Sequence, residues 1–177
     1  LVGKKLVDVQ VRLPRIVTGD AKNVIGGKVK GVRRAGKGLI IDLSNGYSIA
    51  AHIKLTGQFI YKGSETKGEK VSVKVGGELP NKWTHVIFNF DLPAGEAGGE
   101  AVLYYNDLRQ FGWIKILPTP GVGELPFFKE LGPEPFNGLT LEKFQEIVAK
   151  SPTKIKVVIM DQKKIGGIGN IYANDAL

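Results

Sequence analysis

Alternation of apolar and polar residues dominates the chain as far as Pro118. Residues 6–13 and 85–90 place apolar side chains at every second position, which is the period of a β-strand with one buried face. The predicted strands are LVDVQVRL, KVKGVRR, GLIIDL, YSIAAHI, QFIY, VSVKV, HVIFNF, AVLYYN and GWIKIL. Many short strands at close spacing predict antiparallel sheets packed as a β-sandwich or flattened barrel.

The period changes after residue 118. Residues 121–123 read Gly-Val-Gly and are expected to link a β-sandwich domain, residues 1–120, to a helical domain, residues 121–177. Within the β domain the longest polar insert, residues 91–100, is expected to be a hairpin loop without a chemical role. The order is therefore mixed, with β structure first and α structure second.

Helical patterns fill the second domain. LPFFKELG predicts a short helical turn, and LTLEKFQEIVAK carries the apolar stripe of an amphipathic helix. Ser151 followed by Pro152 is typical of a helix start, so a helix is predicted from Pro152 to about Asp161. A final helix is predicted to begin at Asn170 and to be cut off at Leu177, which makes the helical domain look truncated.

Composition narrows the class of protein. With 42% hydrophobic and 24% charged residues in 177, the chain has a globular composition rather than a disordered one. No apolar run approaches the roughly 20 residues of a membrane helix. The chain contains no cysteine, which excludes disulfides and thiolate metal ligands within it.

Positive charge suggests a polyanionic partner. The balance of 25 Lys and Arg against 17 Asp and Glu gives a net charge of +8. Two basic runs stand far apart, and their members are Lys28, Lys30, Arg33, Arg34 and Lys37, then Lys150, Lys154, Lys156, Lys163 and Lys164. One such run is usually a solvated face, but two with little acid among them favour a binding groove.

A glycine-rich loop lies at the centre of the second run. Residues 161–177, DQKKIGGIGNIYANDAL, predict two helices joined by a tight turn. Glycine lets backbone N–H groups approach a phosphate closely, and the next helix contributes a favourable dipole. The segment is interpreted as a phosphate clamp, with an ordinary helix–helix turn as the alternative.

GIGNIYANDAL resembles the helix-two-turn-helix signature of the formamidopyrimidine-DNA glycosylase family and of its endonuclease VIII relatives. RRAGKGLIIDL, HIKLTGQF, KWTHVIF, YNDLRQFGW and LGPEPF resemble further segments of that family in the same order. The resemblance implies a base-excision repair DNA glycosylase and AP lyase, which flips oxidised purines such as 8-oxoguanine and formamidopyrimidines out of duplex DNA and removes them through a Schiff base. It also implies a cytoplasmic, bacterial-type monomer whose partner is double-stranded DNA with an oxidised base.

Individual roles follow from the same resemblance. Lys37 would contact the DNA backbone at the lesion and act as an acid in strand cleavage. Leu55, in place of the family's methionine, would fill the gap left by the flipped nucleotide, with a plain core residue as the alternative. Arg109 would bond the orphaned base and Phe111 would stack on the adjacent step, against the alternative of a hairpin with a buried phenylalanine. His52 is interpreted as structural.

Other residues complete the implied DNA-binding set. Trp83 stands where the family has a histidine that touches DNA, and the LGPEPF stretch is expected only to pack. The phosphate-contacting members are Lys150, Lys156, Gly167, Gly169, Asn170 and Tyr172.

Two parts of the family pattern have no counterpart here. The chain begins Leu-Val-Gly-Lys-Lys, whereas the family begins with a proline, whose amine is the nucleophile, followed by glutamate. The family also ends in a four-cysteine zinc finger. The chain is therefore expected to be a fragment without a cofactor of its own and inactive by itself, with zinc in the missing part of the parent protein. An oxidised-pyrimidine glycosylase of the endonuclease VIII branch and a non-catalytic nucleic-acid-binding module remain as alternative functions.

Overall fold

The chain forms two compact units in a computed structural model that describes residues 1–66, 77–91 and 101–177. The first unit contains Leu1–Arg33 and Leu39–Thr119, and the second contains Arg34–Gly38 and Pro120–Leu177. The predicted strand at residues 71–75 and most of the insert at residues 91–100 lie outside the described residues.

One sheet of the first unit has four strands in the order β1-β7-β8-β6. Its strands are β1 (Leu6–Val11), β6 (Gly57–Lys62), β7 (Thr84–Phe90) and β8 (Val102–Asp107). All three pairings are antiparallel. The strands coincide with predicted segments, although β7 and β8 are buried at almost every position instead of alternating between a buried and a solvated face.

The other sheet has five strands in the order β2-β9-β5-β4-β3. Its strands are β2 (Val17–Thr18), β3 (Val29–Ala35), β4 (Gly38–Leu43), β5 (Tyr47–His52) and β9 (Trp113–Pro118). Strand β2 was not predicted, and it pairs with β9 in parallel while β5 pairs with β9 in antiparallel. A strand of two residues is too short to show a period.

A single apolar core joins the two sheets. Phe88 and Tyr105 from the four-stranded sheet and Ile41, Ile49 and Ile114 from the five-stranded sheet belong to one buried cluster. Burial of this shared face is the main stabilising contribution to a two-layer fold. The predicted β-sandwich followed by helices is confirmed.

Four short helices form the second unit. They are α1 (Pro126–Lys129), α2 (Leu141–Ala149), α3 (Ile155–Met160) and α4 (Asn170–Ala176). Helices α3 and α4 and the glycine loop contribute a small core of Ile159, Ala173 and Ile165, against which Phe144 and Ile147 of α2 pack. None of the helices in the described ranges has the length and apolarity needed to cross a membrane.

The predicted helix start at Ser151 and Pro152 is wrong. The Ser151 hydroxyl donates to the Ile147 carbonyl, 2.7 Å away, at the end of α2, so it closes one helix instead of capping the next. Helix α3 begins three residues after Pro152, at Ile155. The linker residues 121–123 lie in a 3-10 helix, Thr119–Glu124, with Val122 buried.

Candidate nucleic-acid interface

The loop between β8 and β9 carries two of the predicted DNA-contacting side chains. Arg109 is exposed, and its guanidinium carbon lies 4.9 Å from the centroid of the Phe111 ring. Phe111 is 56% exposed, so the alternative of a hairpin with a buried phenylalanine is wrong. An aromatic ring held outside the core with a cation beside it has a face available for stacking.

The turn between β5 and β6 carries Leu55. This side chain is 72% exposed, so the alternative of a core residue is wrong. The turn is shaped by Lys54, which has a positive φ of 53° and donates its backbone N–H to His52 Nδ1 at 2.9 Å. His52 is only 5% exposed, and its structural interpretation is confirmed.

A buried carboxylate joins this turn to the Arg109 loop. Asp107 is 0% exposed. One of its oxygens accepts from the Thr56 hydroxyl at 2.5 Å and from the Arg109 N–H at 3.2 Å, and the other accepts from the Gly112 N–H at 2.8 Å. Burial alone raises the pKa of Asp107, but these hydrogen bonds outweigh burial and hold the pKa below its usual value.

The end of this loop has no room for a side chain. A Cβ on Gly112 would lie 1.8 Å from the Tyr105 hydroxyl oxygen and 3.1 Å from Asp107 Oδ2. Burial and the adjacent carboxylate raise the pKa of Tyr105, so this hydroxyl stays neutral beside the charge of Asp107. Only glycine lets the backbone N–H approach the buried carboxylate here.

Trp83 lies next to the same loop. Its carbonyl accepts from the Asp107 N–H at 3.0 Å, and its ring is half-buried. Lys82 Nζ lies 4.7 Å from the ring centroid. Where the resemblance implies a histidine, this chain therefore presents an aromatic ring with an ammonium group over it.

In the second unit, Lys37 lies beside the glycine loop. Its Nζ is 3.3 Å from the position that a Cβ on Gly169 would occupy. Asn170 follows as the exposed first residue of α4. The fold thus brings Lys37 next to Gly169 and Asn170, members of the predicted site that are more than 100 residues away in sequence.

Glu134 fixes the turn that carries Lys37. Its Oε1 accepts from the Gly36 N–H at 2.7 Å, and its Oε2 accepts from Arg34 Nη2 at 2.5 Å. Burial raises the pKa of Glu134, but the Gly36 amide and the Arg34 guanidinium have the larger combined effect and lower the pKa overall. The LGPEPF stretch, expected only to pack, therefore also positions a candidate catalytic residue.

The glycine loop uses two of its own amides internally. The Gly166 N–H donates to the Pro133 carbonyl at 3.0 Å, and the Gly167 N–H donates to Gln162 Oε1 at 3.0 Å. A phosphate contact through the Gly167 N–H would require this internal hydrogen bond to open. Gly167 supplies a φ of +89° for the turn, and the first-turn amides of α4 are the remaining backbone donors.

Helices α3 and α4 present further predicted residues. Lys156 Nζ donates to Asn174 Oδ1 at 2.5 Å, which ties the side chain of α3 to α4. Tyr172 on α4 is 71% exposed. Lys156, Asn170 and Tyr172 therefore all belong to the surface of this helix pair.

Cations of both basic runs form ion pairs with acidic side chains. Arg33 Nε lies 2.6 Å from Asp42 Oδ2. Lys150 pairs with Glu146 at 2.5 Å, and Lys163 pairs with Glu130 at 2.8 Å. These three cations therefore have acidic partners, although such surface pairs contribute only about 0–1 kcal/mol each.

No candidate metal site accompanies these residues. Within the three described ranges, His, Asp and Glu side chains form no cluster of three that could hold a metal ion.

Comparison with known proteins identifies the family. The family model of the formamidopyrimidine-DNA glycosylase N-terminal domain matches residues 1–114, and that of the formamidopyrimidine-DNA glycosylase H2TH domain matches residues 131–177. The chain belongs to the formamidopyrimidine-DNA glycosylase family. The resemblance inferred from the motifs is confirmed.

Relatives within this glycosylase family match the chain from end to end. The formamidopyrimidine-DNA glycosylase of Pelotomaculum thermopropionicum is 34% identical over 183 aligned residues, covering 100% of this chain and 59% of the relative. The chain thus spans about three fifths of the length of that relative.

Solved glycosylase structures share the fold. The Lactococcus lactis FPG (MutM) in complex with FAPY-dG containing DNA is 26% identical with a TM-score of 0.79, covering 99% of this chain and 61% of that one. MutM in complex with carbocyclic 8-oxo-G containing DNA is 26% identical with a TM-score of 0.80, covering 100% of this chain and 61% of that one.

Sequence reasoning missed the residues that hold this glycosylase-family surface in place. They are Thr56, Asp107, Gly112, Glu134 and Gln162. Asp107 left a weak local signal, because an aspartate at the start of a loop often accepts backbone N–H groups two residues on. Thr56 and Glu134 depend on partners that are distant in sequence, Gly112 depends on close packing, and Gln162 bonds residues five and six positions later within the glycine loop.

Proposed function

We propose that this chain forms the lesion-recognising part of a base-excision repair DNA glycosylase with AP lyase activity. Its substrate is duplex DNA that contains an oxidised purine, such as 8-oxoguanine or a formamidopyrimidine. Family membership supports the reaction, and the names of the solved neighbours support the substrate class, since they are complexes with FAPY-dG and carbocyclic 8-oxo-G DNA. The bacterial relatives favour action in the cytoplasm, on the DNA of a nucleoid.

One observation carries the proposal: exposed Leu55, Arg109 and Phe111 lie on two loops that share the Thr56–Asp107 hydrogen bond. Extruding a nucleotide from a duplex costs a few kcal/mol in lost stacking and pairing. Apolar Leu55 can fill the gap left by the nucleotide, and the Phe111 ring can recover stacking at the adjacent step. The planar guanidinium of Arg109 offers two parallel N–H donors to the edge of the orphaned base.

The helical unit supplies the backbone contacts of this proposal. Lys37, Gly169 and Asn170 would bind phosphates beside the lesion, because an ammonium, a closely approaching backbone and an exposed amide combine charge with directed donors. Lys37 would also serve as the acid in strand cleavage. Lys150, Lys156, Trp83 and Tyr172 are assigned supporting contacts, and Lys150 would exchange Glu146 for a phosphate as its partner.

The proposal assigns the Schiff-base nucleophile and a zinc finger to sequence outside these 177 residues. The chain has no cysteine, and the described residues offer no cluster of three metal ligands. The residues present thus do not fit a zinc finger, and no step proposed for them passes through a metal.

Borohydride trapping on the natural gene product tests the reaction. A Schiff base is reduced to a stable covalent adduct, so we expect an adduct with a duplex that contains 8-oxoguanine and none with an undamaged duplex. An adduct formed only with an oxidised-pyrimidine duplex would assign the protein to the endonuclease VIII branch. The absence of any adduct would support a non-catalytic binding module.

Binding by the chain itself tests the recognition step separately. Replacing Arg109 with alanine should weaken binding to a duplex with a stable tetrahydrofuran abasic analogue by about 1–3 kcal/mol. Lys22→Ala is the matched control, because it removes one exposed positive charge away from both loops. Fluorescence anisotropy with damaged and undamaged duplexes measures both. Equal losses of affinity for the two variants would mean that Arg109 contributes only a non-specific positive charge.

A further inference from the structure

We propose that Thr56 and Asp107 are positioning residues that couple the Leu55 turn to the Arg109 loop, so that the two meet DNA as one preorganised unit. This inference rests on the proposed function. It concerns neither contact with DNA nor the chemistry, since Asp107 is fully buried. It concerns the geometry in which the contacting side chains are held.

The Thr56 hydroxyl bridges both loops by itself. It donates to Asp107 Oδ1 at 2.5 Å and accepts from the Arg109 N–H at 3.0 Å. A hydroxyl has one donor and can accept as well, so both roles are used at once. Since Leu55 is the residue before Thr56 in the chain, this one oxygen fixes the backbone on either side of the contact surface.

Asp107 raises the free energy needed to separate the Leu55 turn from the Arg109 loop. A buried carboxylate without hydrogen-bond partners is strongly destabilised, and charge-assisted hydrogen bonds are among the stronger ones. Its donors come from both loops, namely the Thr56 hydroxyl from one, and the N–H groups of Arg109 and Gly112 from the other. Neither loop can move away alone without leaving the charge underbonded.

Both loops are therefore ordered before DNA binds. Side chains and loops that become ordered only on binding lower the affinity, and preorganisation removes that cost. If Leu55 and Arg109 are held in one arrangement, their contributions to lesion binding should depend on each other. Two independent loops would instead contribute additively.

A double-mutant cycle on lesion binding tests the coupling. The dissociation constant for a tetrahydrofuran duplex is measured by anisotropy for Leu55→Ala, Arg109→Ala and their combination. The cycle is repeated in a Thr56→Val background, which removes the hydroxyl at nearly constant shape. With Thr56 present, we expect the two substitutions to be coupled by a factor of about five to ten in the dissociation constant. In the Thr56→Val background, we expect a factor of about one, which means that their effects are independent. Thr56→Ser should restore the coupling because it restores the hydroxyl.

Controls separate positioning from a general loss of structure. Thr18→Val is the matched control, because Thr18 is an exposed threonine on β2, and it should leave the coupling unchanged. Circular dichroism and thermal unfolding establish whether each variant is folded. If Thr56→Val does not fold, amide exchange in the unsubstituted chain decides the question: the Arg109 and Gly112 amides must be protected together, and fast exchange of the Arg109 amide alone would overturn the inference.

The outcomes distinguish this inference from the proposed function. If the unsubstituted chain binds lesion and undamaged duplexes equally, the proposed function fails, and the inference fails with it. If lesion preference is present but the coupling survives Thr56→Val, or is not restored by serine, only the positioning role is overturned.

Discussion

Replacing Gly112 with alanine should strongly destabilise the first unit. The new Cβ would lie 1.8 Å from the Tyr105 hydroxyl oxygen, 3.0 Å from the His52 carbonyl oxygen and 3.1 Å from Asp107 Oδ2. Tyr105 and Asp107 are both fully buried, so neither can turn into solvent to make room. The backbone of the loop must shift instead.

The magnitude follows from two effects. Overpacking a well-packed core costs about 1–3 kcal/mol. A shift of the loop also lengthens the 2.8 Å hydrogen bond from the Gly112 N–H to Asp107, and an unsatisfied buried group costs about 1–3 kcal/mol or more when charged. Together the loss is about 2–6 kcal/mol, a large part of the roughly 5–15 kcal/mol that stabilises a typical domain.

Urea unfolding followed by circular dichroism measures this loss. Gly31→Ala is the control, because a Cβ there has no heavy atom within 4 Å and should change the free energy of unfolding by only about 1 kcal/mol or less. Combining Gly112→Ala with Tyr105→Phe removes the oxygen at the closest contact, whose hydrogen bond to Asp107 is long at 3.4 Å. The phenylalanine should therefore recover part of the stability.

Two results would refute this reasoning. If Gly112→Ala and Gly31→Ala unfold at the same urea concentration, the close approach of Gly112 to Tyr105 does not constrain the fold. If Tyr105→Phe adds its own loss to that of Gly112→Ala without any recovery, the hydroxyl is not the obstacle.

Two further predictions concern the helical unit. The pKa of Glu134 lies below its ordinary 4.5, so its stabilisation is present above the unfolded pKa and is lost as pH falls through the folded pKa. The difference in unfolding free energy between the unsubstituted chain and Glu134→Gln should therefore shrink at acid pH, and a constant difference in urea titrations across pH would contradict this. Gln162→Leu removes the acceptor for the Gly167 N–H and the donor to the Ile168 carbonyl, and should cost about 1–3 kcal/mol and speed amide exchange in the glycine loop. The exposed control Gln10→Leu should do neither.

Much of the fold could be predicted because its signals are local. Strand β1 alternates apolar and polar residues from Val7 to Val11, and α2 shows an apolar stripe over nine residues. The errors occur where local signals are ambiguous. A serine before a proline suits a helix start, but the Ser151 hydroxyl instead donates a hydrogen bond to the Ile147 carbonyl, four residues earlier in the chain.

The site was less predictable because its supports are long-range. Motif resemblance placed Arg109 and Phe111 on one loop, but their exposure depends on the whole sandwich. The Thr56–Asp107 hydrogen bond joins residues 51 apart, and Glu134 reaches an amide 98 residues away. Ion pairs were hard to predict for the same reason, since the Asp42 partner of Arg33 comes from the neighbouring strand.

The buried acids explain how a basic surface and a well-ordered backbone coexist in this chain. Asp107 meets Arg109 through the backbone N–H, at 3.2 Å, while the guanidinium lies over the Phe111 ring. The carboxylate therefore fixes the position of the arginine without forming an ion pair with its side chain. Glu134 likewise accepts a hydrogen bond from the Gly36 N–H, beside Lys37, with one of its oxygens. Because backbone amides carry no net charge, a carboxylate bonded to them can order a loop without forming an ion pair with the Arg109 guanidinium, whereas the second oxygen of Glu134 does pair with Arg34.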